Sequence, residues 1–284
     1  QHIIPRLGMV PLREFTVPLV EKYISDLLTT GRLDGSGGLS AKTATDILVI
    51  IKSIVKYAEV LDAKFRCNLK GITIRADDRE MRVLTRTEQD KLTAFLMQNA
   101  DRTKVGVLLC LYTGIRVGEL CALRWEHISL AEKTIFICGT AQRVQDFSDS
   151  NRKTHVTITS PKSKSSIRKI PLPDFLVEQL RPFMSGADTY LLTGTARVFE
   201  PRTIQNRFKK YLQLLELPDC GFHTLRHTFA TRCVELGFEI KSLSEILGHA
   251  DIEITLNRYV HSSMDLKRVN MDKVAALLCI ISTS

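Results

Sequence analysis

The spacing of apolar residues changes partway along this chain, and that change constrains the fold more than any other feature. Along most of the 284 residues, apolar side chains recur every three or four positions, as on amphipathic helices. Between 133 and 173 they alternate with polar residues and turn signals, which is typical of half-buried strands. Strands are predicted there at 134–137, 155–159 and 166–172. The pattern predicts a mainly α-helical protein with a small antiparallel β-sheet, an α+β fold.

The first helices predict a small N-terminal bundle. They lie at 16–30 and 41–60, and Ser40 is the expected N-cap of the second. The core stripe of that second helix is predicted to consist of Ile47, Ile50, Ile51, Ile54 and Val55. Three lysines of the same helix can then stay in water: Lys42, Lys52 and Lys56.

A charged, irregular stretch follows the bundle and predicts a linker at 76–83. Thr85 and Glu88 then open the next helix with a capping box, in which each side chain satisfies a backbone donor of the other residue. We therefore expect two domains, at 1–75 and 84–284. Further helices are predicted at 103–112, 117–124, 174–184, 201–216, 224–237, 240–247, 251–258 and 264–278.

The net charge of the chain is +9. Basic proteins are common, but this charge also suits a partner rich in phosphates, because neutralising DNA releases its counterions. No apolar run reaches the roughly 18 residues that a membrane helix needs, so no membrane partner is expected. No signal peptide opens the chain, and its first residue is Gln1, which predicts a fragment or a processed form of a longer protein.

The seven cysteines form no CxxC pair, and most lie in apolar surroundings. They are expected to be buried free thiols in a reducing cytosol. His223 and His227 have the spacing of two zinc ligands, but Thr224 stands where an HExxH motif has its glutamate. The nearby Arg226 would also repel a metal. The sequence therefore predicts chemistry without a metal or another cofactor.

Two arginines lie in settings that suit a phosphate. Arg116 begins a predicted helix after the turn at 113–114, where free backbone N–H groups can bind an anion. Arg226 follows His223 by about one helical turn, so both side chains project from one face. A guanidinium can donate two hydrogen bonds to a phosphate and never loses its charge. Since a lone arginine is more often a surface ion pair, the prediction depends on the whole set.

Three other features can complete the chemistry. His249 lies in a Leu-Gly-His turn and can hydrogen-bond a phosphate oxygen. Tyr259 is a candidate nucleophile, although a phenol with a pKa of about 10 needs nearby cations before it attacks. The basic turn at 161–168 offers lysines that can protonate a leaving oxygen. Each feature by itself is more often structural or simply solvated.

The ordered set resembles the tyrosine recombinases, also called phage-type integrases, over roughly residues 84–265. The resemblance is carried by Thr-Gly-Ile-Arg-Val-Gly-Glu-Leu, the HxxR pair and Leu-Gly-His. The hairpin Pro-Lys-Ser-Lys-Ser-Ser-Ile-Arg is most similar to integrases of conjugative transposons and related phages. The resemblance implies six catalytic residues: Arg116, Lys164, His223, Arg226, His249 and Tyr259. Lys162 is the alternative to Lys164, because the hairpin aligns loosely.

The resemblance implies that DNA is cleaved and rejoined through a 3′-phosphotyrosyl intermediate, with no metal or ATP. Tyr259 attacks the scissile phosphate while Arg116 and Arg226 hold its non-bridging oxygens. Lys164 protonates the departing 5′ oxygen, and the two histidines assist proton transfer and hydrogen-bond the phosphate. The 5′-hydroxyl of a partner strand then reverses the step, which predicts integration or excision of a mobile element.

The resemblance also implies a two-domain clamp around double-stranded DNA, with the helical N-terminal domain as its core-binding part. Basic side chains expected to contact DNA are Lys42, Lys52, Lys56, Arg143, Arg152, Lys153, Lys162 and Arg168. The implied assembly is a dimer or tetramer on DNA, joined through the C-terminal helix at 264–278, with accessory DNA-bending or excision factors. Such a protein is expected in the bacterial cytoplasm, on the nucleoid.

Other functions remain open from the sequence. Chromosome-dimer resolvases and type IB topoisomerases use the same chemistry, although a topoisomerase needs only one duplex. A non-catalytic DNA-binding protein would keep the basic surfaces without needing Tyr259 and both arginines. The target sequence depends on which side chains enter a groove of the DNA.

Overall fold

The structure is a computed structural model that describes residues 1–62, 64–75, 81–145, 154–161, 163–259, 268 and 271–272. Some of these are described by their backbone alone, namely Gln145, Lys164, Ile254, Asn257, Arg258 and Tyr259. The chain divides into two compact units, Gln1–Glu80 and Met81–Ser284. The predicted helix at 264–278 lies outside the described residues except at 268 and 271–272, where the backbone is helical. Within the described ranges, no helix combines the length and apolar character that crossing a membrane requires.

The N-terminal unit contains helices α1 (Ile3–Leu7), α2 (Val17–Thr30) and α3 (Ala41–Leu61). The Oγ of Ser40 accepts the backbone N–H of Thr43 at 3.2 Å, which confirms the predicted N-cap of α3. The core of this unit consists mainly of Val20, Tyr23, Ile24, Leu27, Ile47, Leu48, Ile51 and Val55. Burial of these apolar side chains is the main force that holds the unit together.

The predicted core stripe of α3 is wrong at two positions. Ile50 and Ile54 are 50% and 49% exposed, whereas Leu48 and Ala58 are buried. The buried residues of α3 recur at i, i+3, i+4 and i+7 from Ala44, which is one face of a helix. That face packs in the core with α2. Apolar residues cover more of the circumference of α3 than this core buries.

The C-terminal unit begins with α4 (Arg86–Met97), and the capping box of Thr85 and Glu88 is confirmed. The other helices of the unit are α5 (Arg102–Thr113), α6 (Val117–Ala122), α7 (Asp174–Leu180), α8 (Pro201–Leu214), α9 (His223–Glu235), α10 (Ile240–Leu247) and α11 (Ile252–Tyr259). Helix α5 is buried along most of its length and contacts α4, α6, α7, α8 and α9. It is therefore the centre of the core of this unit.

The strand region forms two antiparallel sheets where one was predicted. Strands β1 (Ile128–Ser129), β2 (Thr134–Ile137) and β5 (Arg168–Pro171) form the first sheet, in the order β1-β2-β5. Strands β3 (Thr140–Gln145) and β4 (Thr154–Thr159) form a separate hairpin. The prediction missed β3 because its sequence, Thr-Ala-Gln-Arg-Val-Gln, has too few apolar residues to show an alternation. The protein is mainly α-helical with small antiparallel sheets, as predicted.

Candidate active site

Arg116 lies at a sharp turn between α5 and α6. Gly114 ends α5 in the left-handed conformation (φ +67°), and a Cβ there would come within 2.6 Å of the Phe229 ring. Glu119 accepts the backbone N–H of Arg116 at 2.9 Å and its Nη1 at 2.8 Å. The Glu119 carboxylate therefore already takes the N–H of Arg116, and the expected anion site on the other backbone N–H groups stays a prediction. The guanidinium, whose side chain is 36% exposed, is the group that can face a phosphate.

Arg226 connects the three sequence motifs. It lies in the first turn of α9 and is 2% exposed. Its Nη1 donates to the carbonyl of Gly114 at 2.8 Å, and its Nη2 donates to the carbonyl of Leu247 at 2.7 Å. Gly114 precedes Arg116 by two residues, and Leu247 precedes His249 by two. Segments separated by 112 positions in the sequence therefore meet in one hydrogen-bonded cluster.

His249 is oriented from both sides of its turn. It follows Gly248, which ends α10 in the left-handed conformation (φ +65°). The Gly248 carbonyl accepts from Nη2 of Arg116 at 3.3 Å. On the other side, Nδ1 of His249 lies 2.7 Å from Oγ1 of Thr255, which is fully buried in α11. A partner on one ring nitrogen fixes how the imidazole presents the other. Thr255 was not predicted, since nothing in its local sequence marks it.

His223 and His227 begin α9 as a ring pair. Their centroids are 4.5 Å apart and the planes meet at 87°. His223 is exposed, whereas His227 and Arg226 are buried, so this turn of the helix passes from solvent into the core. Among the residues that the structure describes, no cluster of three or more His, Cys, Asp or Glu side chains could hold a metal ion.

For Tyr259 and Lys164, the position of the backbone is what the structure describes. Tyr259 is the last residue of α11, one turn beyond Thr255, and α11 contacts both α9 and α10. Lys164 begins a 3₁₀ turn, Lys164–Ser166, just before β5. Lys162 lies outside the described residues, so the choice between the two lysines stays a prediction.

Arg168 does not lie where a DNA contact requires it. It opens β5 and is 8% exposed. Its Nη1 and Nη2 donate to the two carboxylate oxygens of Glu119 at 3.1 and 2.9 Å. Its Nε donates to the carbonyl of Ile246 at 2.6 Å, and its Nη1 also donates to the carbonyl of Ser166 at 3.0 Å. The prediction that Arg168 binds DNA is wrong, because this guanidinium is buried and bonded within the protein.

Glu119 is the buried anion between the two guanidinium groups of Arg116 and Arg168. Its side chain is 4% exposed. Burial raises the pKa of this carboxyl, but the hydrogen bonds and charge of Arg168, and then those of Arg116, outweigh that effect and hold the pKa below its ordinary value. Glu119 therefore stays ionised at neutral pH. The prediction missed this residue, although it stands in the same motif as Arg116.

The three lysines of α3 differ in their partners. Lys56 is exposed. Lys42 pairs with Asp46 at 3.6 Å, and both side chains are exposed. Lys52 is half-buried and donates to the carbonyl of Ile72 at 2.9 Å. Of the three, Lys56 and Lys42 keep the accessibility that phosphate contact needs, and the DNA role of all three stays a prediction.

Arg143, one of the basic residues expected to contact DNA, belongs to β3. Its Nη2 pairs with Glu200 at 2.5 Å, and its Nη1 donates to Oγ1 of Thr154 at 2.5 Å. These contacts connect the hairpin to the start of α8. Arg152 and Lys153 lie outside the described residues.

The six described cysteines are free thiols, and all of them except the half-buried Cys138 are buried. Burial raises the pKa of Cys121 and Cys233 to about 12. Both thiols are therefore protonated at neutral pH and are poor nucleophiles. Cys279 lies outside the described residues.

The geometry brings the motifs of Arg116, Arg226 and His249 together, and the comparison with known proteins agrees with it. The sequence profile of the phage integrase family matches residues 82–265. The chain belongs to this family. The predicted resemblance to tyrosine recombinases is confirmed.

Named relatives of this integrase family protein include recombinases and transposases. A tyrosine recombinase XerC-like protein of Caldanaerobacter subterraneus subsp. tengcongensis is 28% identical over 85% of this chain and 66% of its own length. The transposase from transposon Tn916 of Enterococcus faecalis is 28% identical over 67% of this chain and 52% of its own length. The chain thus spans between half and two thirds of the length of these two relatives.

Solved structures share the fold of the family protein. The Tn1549 transposon integrase, in complex with transposon right end DNA, superposes with a TM-score of 0.76 at 21% identity, covering 95% of this chain and 89% of that one. A lambda integrase dimer bound to a core site gives a TM-score of 0.61 at 16% identity, covering 91% of this chain and 68% of that one.

Proposed function

We propose that this protein is a site-specific DNA recombinase that cleaves and rejoins strands through a 3′-phosphotyrosyl intermediate, and so integrates or excises a mobile element. The observation that carries the proposal is the Arg226 junction, which holds the Arg116 turn and the His249 turn together. The likeness to the Tn916 transposase supports a mobile element as the substrate.

Cleavage begins when the phenol oxygen of Tyr259 attacks the scissile phosphorus, with His223 assisting removal of the phenolic proton. The bond from phosphorus to the 5′ oxygen breaks, and Lys164 supplies the proton that this oxygen needs. The 3′-phosphotyrosyl bond conserves the free energy of the phosphodiester. Attack by the 5′-hydroxyl of a partner strand then releases Tyr259 and completes the exchange.

The charges that stabilise the transition state are held in advance. Arg226 is fixed by two backbone carbonyls, and Arg116 is fixed by Glu119 and by the carbonyl of Gly248. Guanidinium groups held in this way need little reorganisation as charge develops on the phosphate oxygens, which is the main source of electrostatic catalysis. His249, oriented by Thr255, hydrogen-bonds the same phosphate.

The proposed substrate complex contains both units of the chain. The Gln1–Glu80 unit is the core-binding part, with Lys42 and Lys56 on DNA phosphates, and the two units together clamp duplex DNA. The active assembly is a dimer or tetramer on DNA, joined through the helix at 264–278, with accessory DNA-bending or excision factors. It acts on the nucleoid in the bacterial cytoplasm.

A suicide substrate tests the proposal. Candidate element-end duplexes carry a nick next to the scissile phosphate, so that the short cleaved strand diffuses away and the covalent complex accumulates. We expect a tyrosine-linked product with the parent protein and none with Tyr259→Phe. If Tyr259→Phe accumulates as much covalent complex as the parent does, the nucleophile is another residue.

A second candidate is the resolution of chromosome dimers. Its support is the match to the XerC-like relative and to the XerA recombinase of Thermococcus onnurineus, which is 26% identical over 78% of each chain. Strand exchange on element ends supports the first candidate, and exchange confined to chromosomal sites supports the second. Relaxation of supercoiled DNA without exchange between two duplexes indicates a type IB topoisomerase activity instead.

A further inference from the structure

Arg168 is a buried arginine that makes four hydrogen bonds within the protein, and the proposed mechanism leaves it without a role. We propose that Arg168 is a positioning residue for strand cleavage, which fixes the lysine-bearing turn Lys164–Ser166 against the rest of the active site. The inference rests on the proposed recombinase function. It does not place Arg168 on the DNA, because the side chain is 6% exposed.

One side of the guanidinium fastens the turn itself. Nη1 of Arg168 donates to the carbonyl of Ser166 at 3.0 Å, and the backbone N–H of Ser166 donates to the carbonyl of Ser163 at 3.1 Å. Within the same turn, Oγ of Ser163 lies 2.9 Å from Oγ of Ser165. The backbone on both sides of Lys164 is therefore tied to Arg168.

The other side of the guanidinium reaches Arg116 through Glu119. Both carboxylate oxygens of Glu119 accept from Arg168, at 3.1 and 2.9 Å. The same two oxygens accept from Nη1 and the backbone N–H of Arg116, at 2.8 and 2.9 Å. A bidentate pair fixes direction as well as distance. Arg168, Glu119 and Arg116 thus form one rigid unit between the lysine turn and a phosphate-facing guanidinium.

The end of α10 completes the connection. Three consecutive carbonyls, those of Ile246, Leu247 and Gly248, accept hydrogen bonds from Arg168, Arg226 and Arg116 respectively. The last carbonyls of a helix have no partner within the helix, and its C-terminus carries partial negative charge. Three arginines from distant parts of the chain satisfy them directly before His249, so the lysine turn is placed relative to the motifs of Arg116, Arg226 and His249.

The expected consequence is loss of proton delivery when Arg168 is removed. A misplacement of about 1 Å in a catalytic group can cost about 100-fold in rate. Lysine cannot replace this arginine, because an ammonium group lacks the planar fork that reaches two carboxylate oxygens and two carbonyls together.

The test compares two leaving groups at the scissile phosphate. With the natural 5′-bridging oxygen, the leaving group needs a proton as the P–O bond breaks. With a 5′-bridging sulfur, the P–S bond breaks to release a thiolate, which is stable without that proton. A fault in proton delivery therefore slows cleavage of the oxygen substrate and largely disappears on the sulfur substrate.

We expect Arg168→Met to cleave the oxygen substrate about 100-fold more slowly than the parent, and the sulfur substrate within about tenfold of it. Lys164→Ala is the reference for lost proton delivery and should show the same rescue. Arg116→Lys is the contrast, and it should stay slow on both substrates. Thermal unfolding and binding to uncleaved duplex confirm that each variant is folded. If Arg168→Met does not fold, Arg168→Lys enters the same comparison.

Two results overturn the inference: cleavage of the oxygen substrate at the parent rate, or equal loss on both substrates in a folded variant. Failure of the proposed function looks different. In that case the parent itself forms no tyrosine-linked product on either substrate.

Discussion

At the scale of a single residue, the ionised carboxylate of Glu119 stabilises the fold and also holds Arg116 of the candidate site. Its carboxylate lies between Arg116 and Arg168, and its folded-state pKa is depressed. A depressed pKa means that ionised Glu119 stabilises the fold. That stabilisation is complete above the ordinary glutamate pKa of about 4.3 and is lost as the pH falls through the lower, folded-state value.

Glu119→Gln tests whether ionised Glu119 stabilises the fold. We expect the substitution to lower the free energy of unfolding of the Met81–Ser284 unit by about 3 kcal/mol at neutral pH, because it leaves Arg168 buried without its counter-ion. Urea denaturation at several pH values should also show a shallower loss of stability below about pH 5 in the variant than in the parent.

The matched control is Glu132→Gln. Glu132 pairs with Lys169 at the surface, where the two side chains are 64% and 56% exposed. Lys169 also lowers the pKa of Glu132, but solvent screens this exposed pair, so Glu132→Gln should change the stability and its acid limb much less than Glu119→Gln does. Parallel acid limbs for the parent and Glu119→Gln would show that Glu119 titrates no differently in the folded and unfolded states.

Arg116→Lys separates charge from geometry. Lysine keeps the positive charge, but it cannot bond Glu119 and the Gly248 carbonyl and still present a fork to a phosphate. We expect cleavage of the suicide substrate to slow by about 100-fold, the usual effect of losing one transition-state donor, with duplex binding largely retained. Equal cleavage rates for the two proteins would contradict this role.

Among the secondary-structure elements, the short helix α10 contributes to the candidate site through its C-terminal end. Its last two carbonyls accept from Arg168 and Arg226, and the carbonyl of the cap residue Gly248 accepts from Arg116. The left-handed backbone of Gly248 then turns the chain to present His249. The helix matters less for its length than for the polar groups that its C-terminus exposes.

Gly248→Ala tests that end. Alanine in a left-handed conformation costs about 1–2 kcal/mol anywhere. At this position its Cβ would also meet Nη1 of Arg168 at 2.8 Å and Cδ at 3.1 Å, and Arg168 is too firmly bonded to withdraw. The chain offers a control in Gly237, which has a φ of +78° and where an alanine methyl group would meet no atom within 4 Å.

Gly237→Ala should therefore lower the free energy of unfolding only by the cost of an alanine in the left-handed conformation. Gly248→Ala should lower it further and should also slow cleavage. Chemical denaturation and the suicide substrate measure the two effects. Equal losses of stability in both variants would mean that Arg168 yields easily at this contact.

For the whole molecule, the net charge of +9 predicts binding to DNA that weakens steeply with salt. We expect the logarithm of the binding constant to fall linearly with the logarithm of the salt concentration. If Lys56 contacts a phosphate, Lys56→Ala should reduce that slope by about 0.9, whereas Lys56→Arg, which keeps the charge, should preserve it. An unchanged slope in Lys56→Ala would remove this residue from the interface.

The sequence by itself determined the α+β class, the Ser40 cap, the Thr85–Glu88 capping box, and the motifs that carry Arg116, Arg226 and His249. These features are local, since periodicity, capping and motif spacing depend on residues a few positions apart. They were predictable because a helix or a cap forms from its own neighbours.

Only the tertiary structure decided where buried partners meet. Arg168 looked like one more basic residue of a hairpin, and its partner Glu119 lies 49 positions away. Ile50 and Ile54 fitted a core stripe, but the packed core buried a neighbouring face of α3. Strand β3 showed no apolar alternation and forms through its pairing with β4. In each case the deciding contact joins elements that are distant in the chain. The pattern of neighbouring residues does not predict which of these elements will pack against each other.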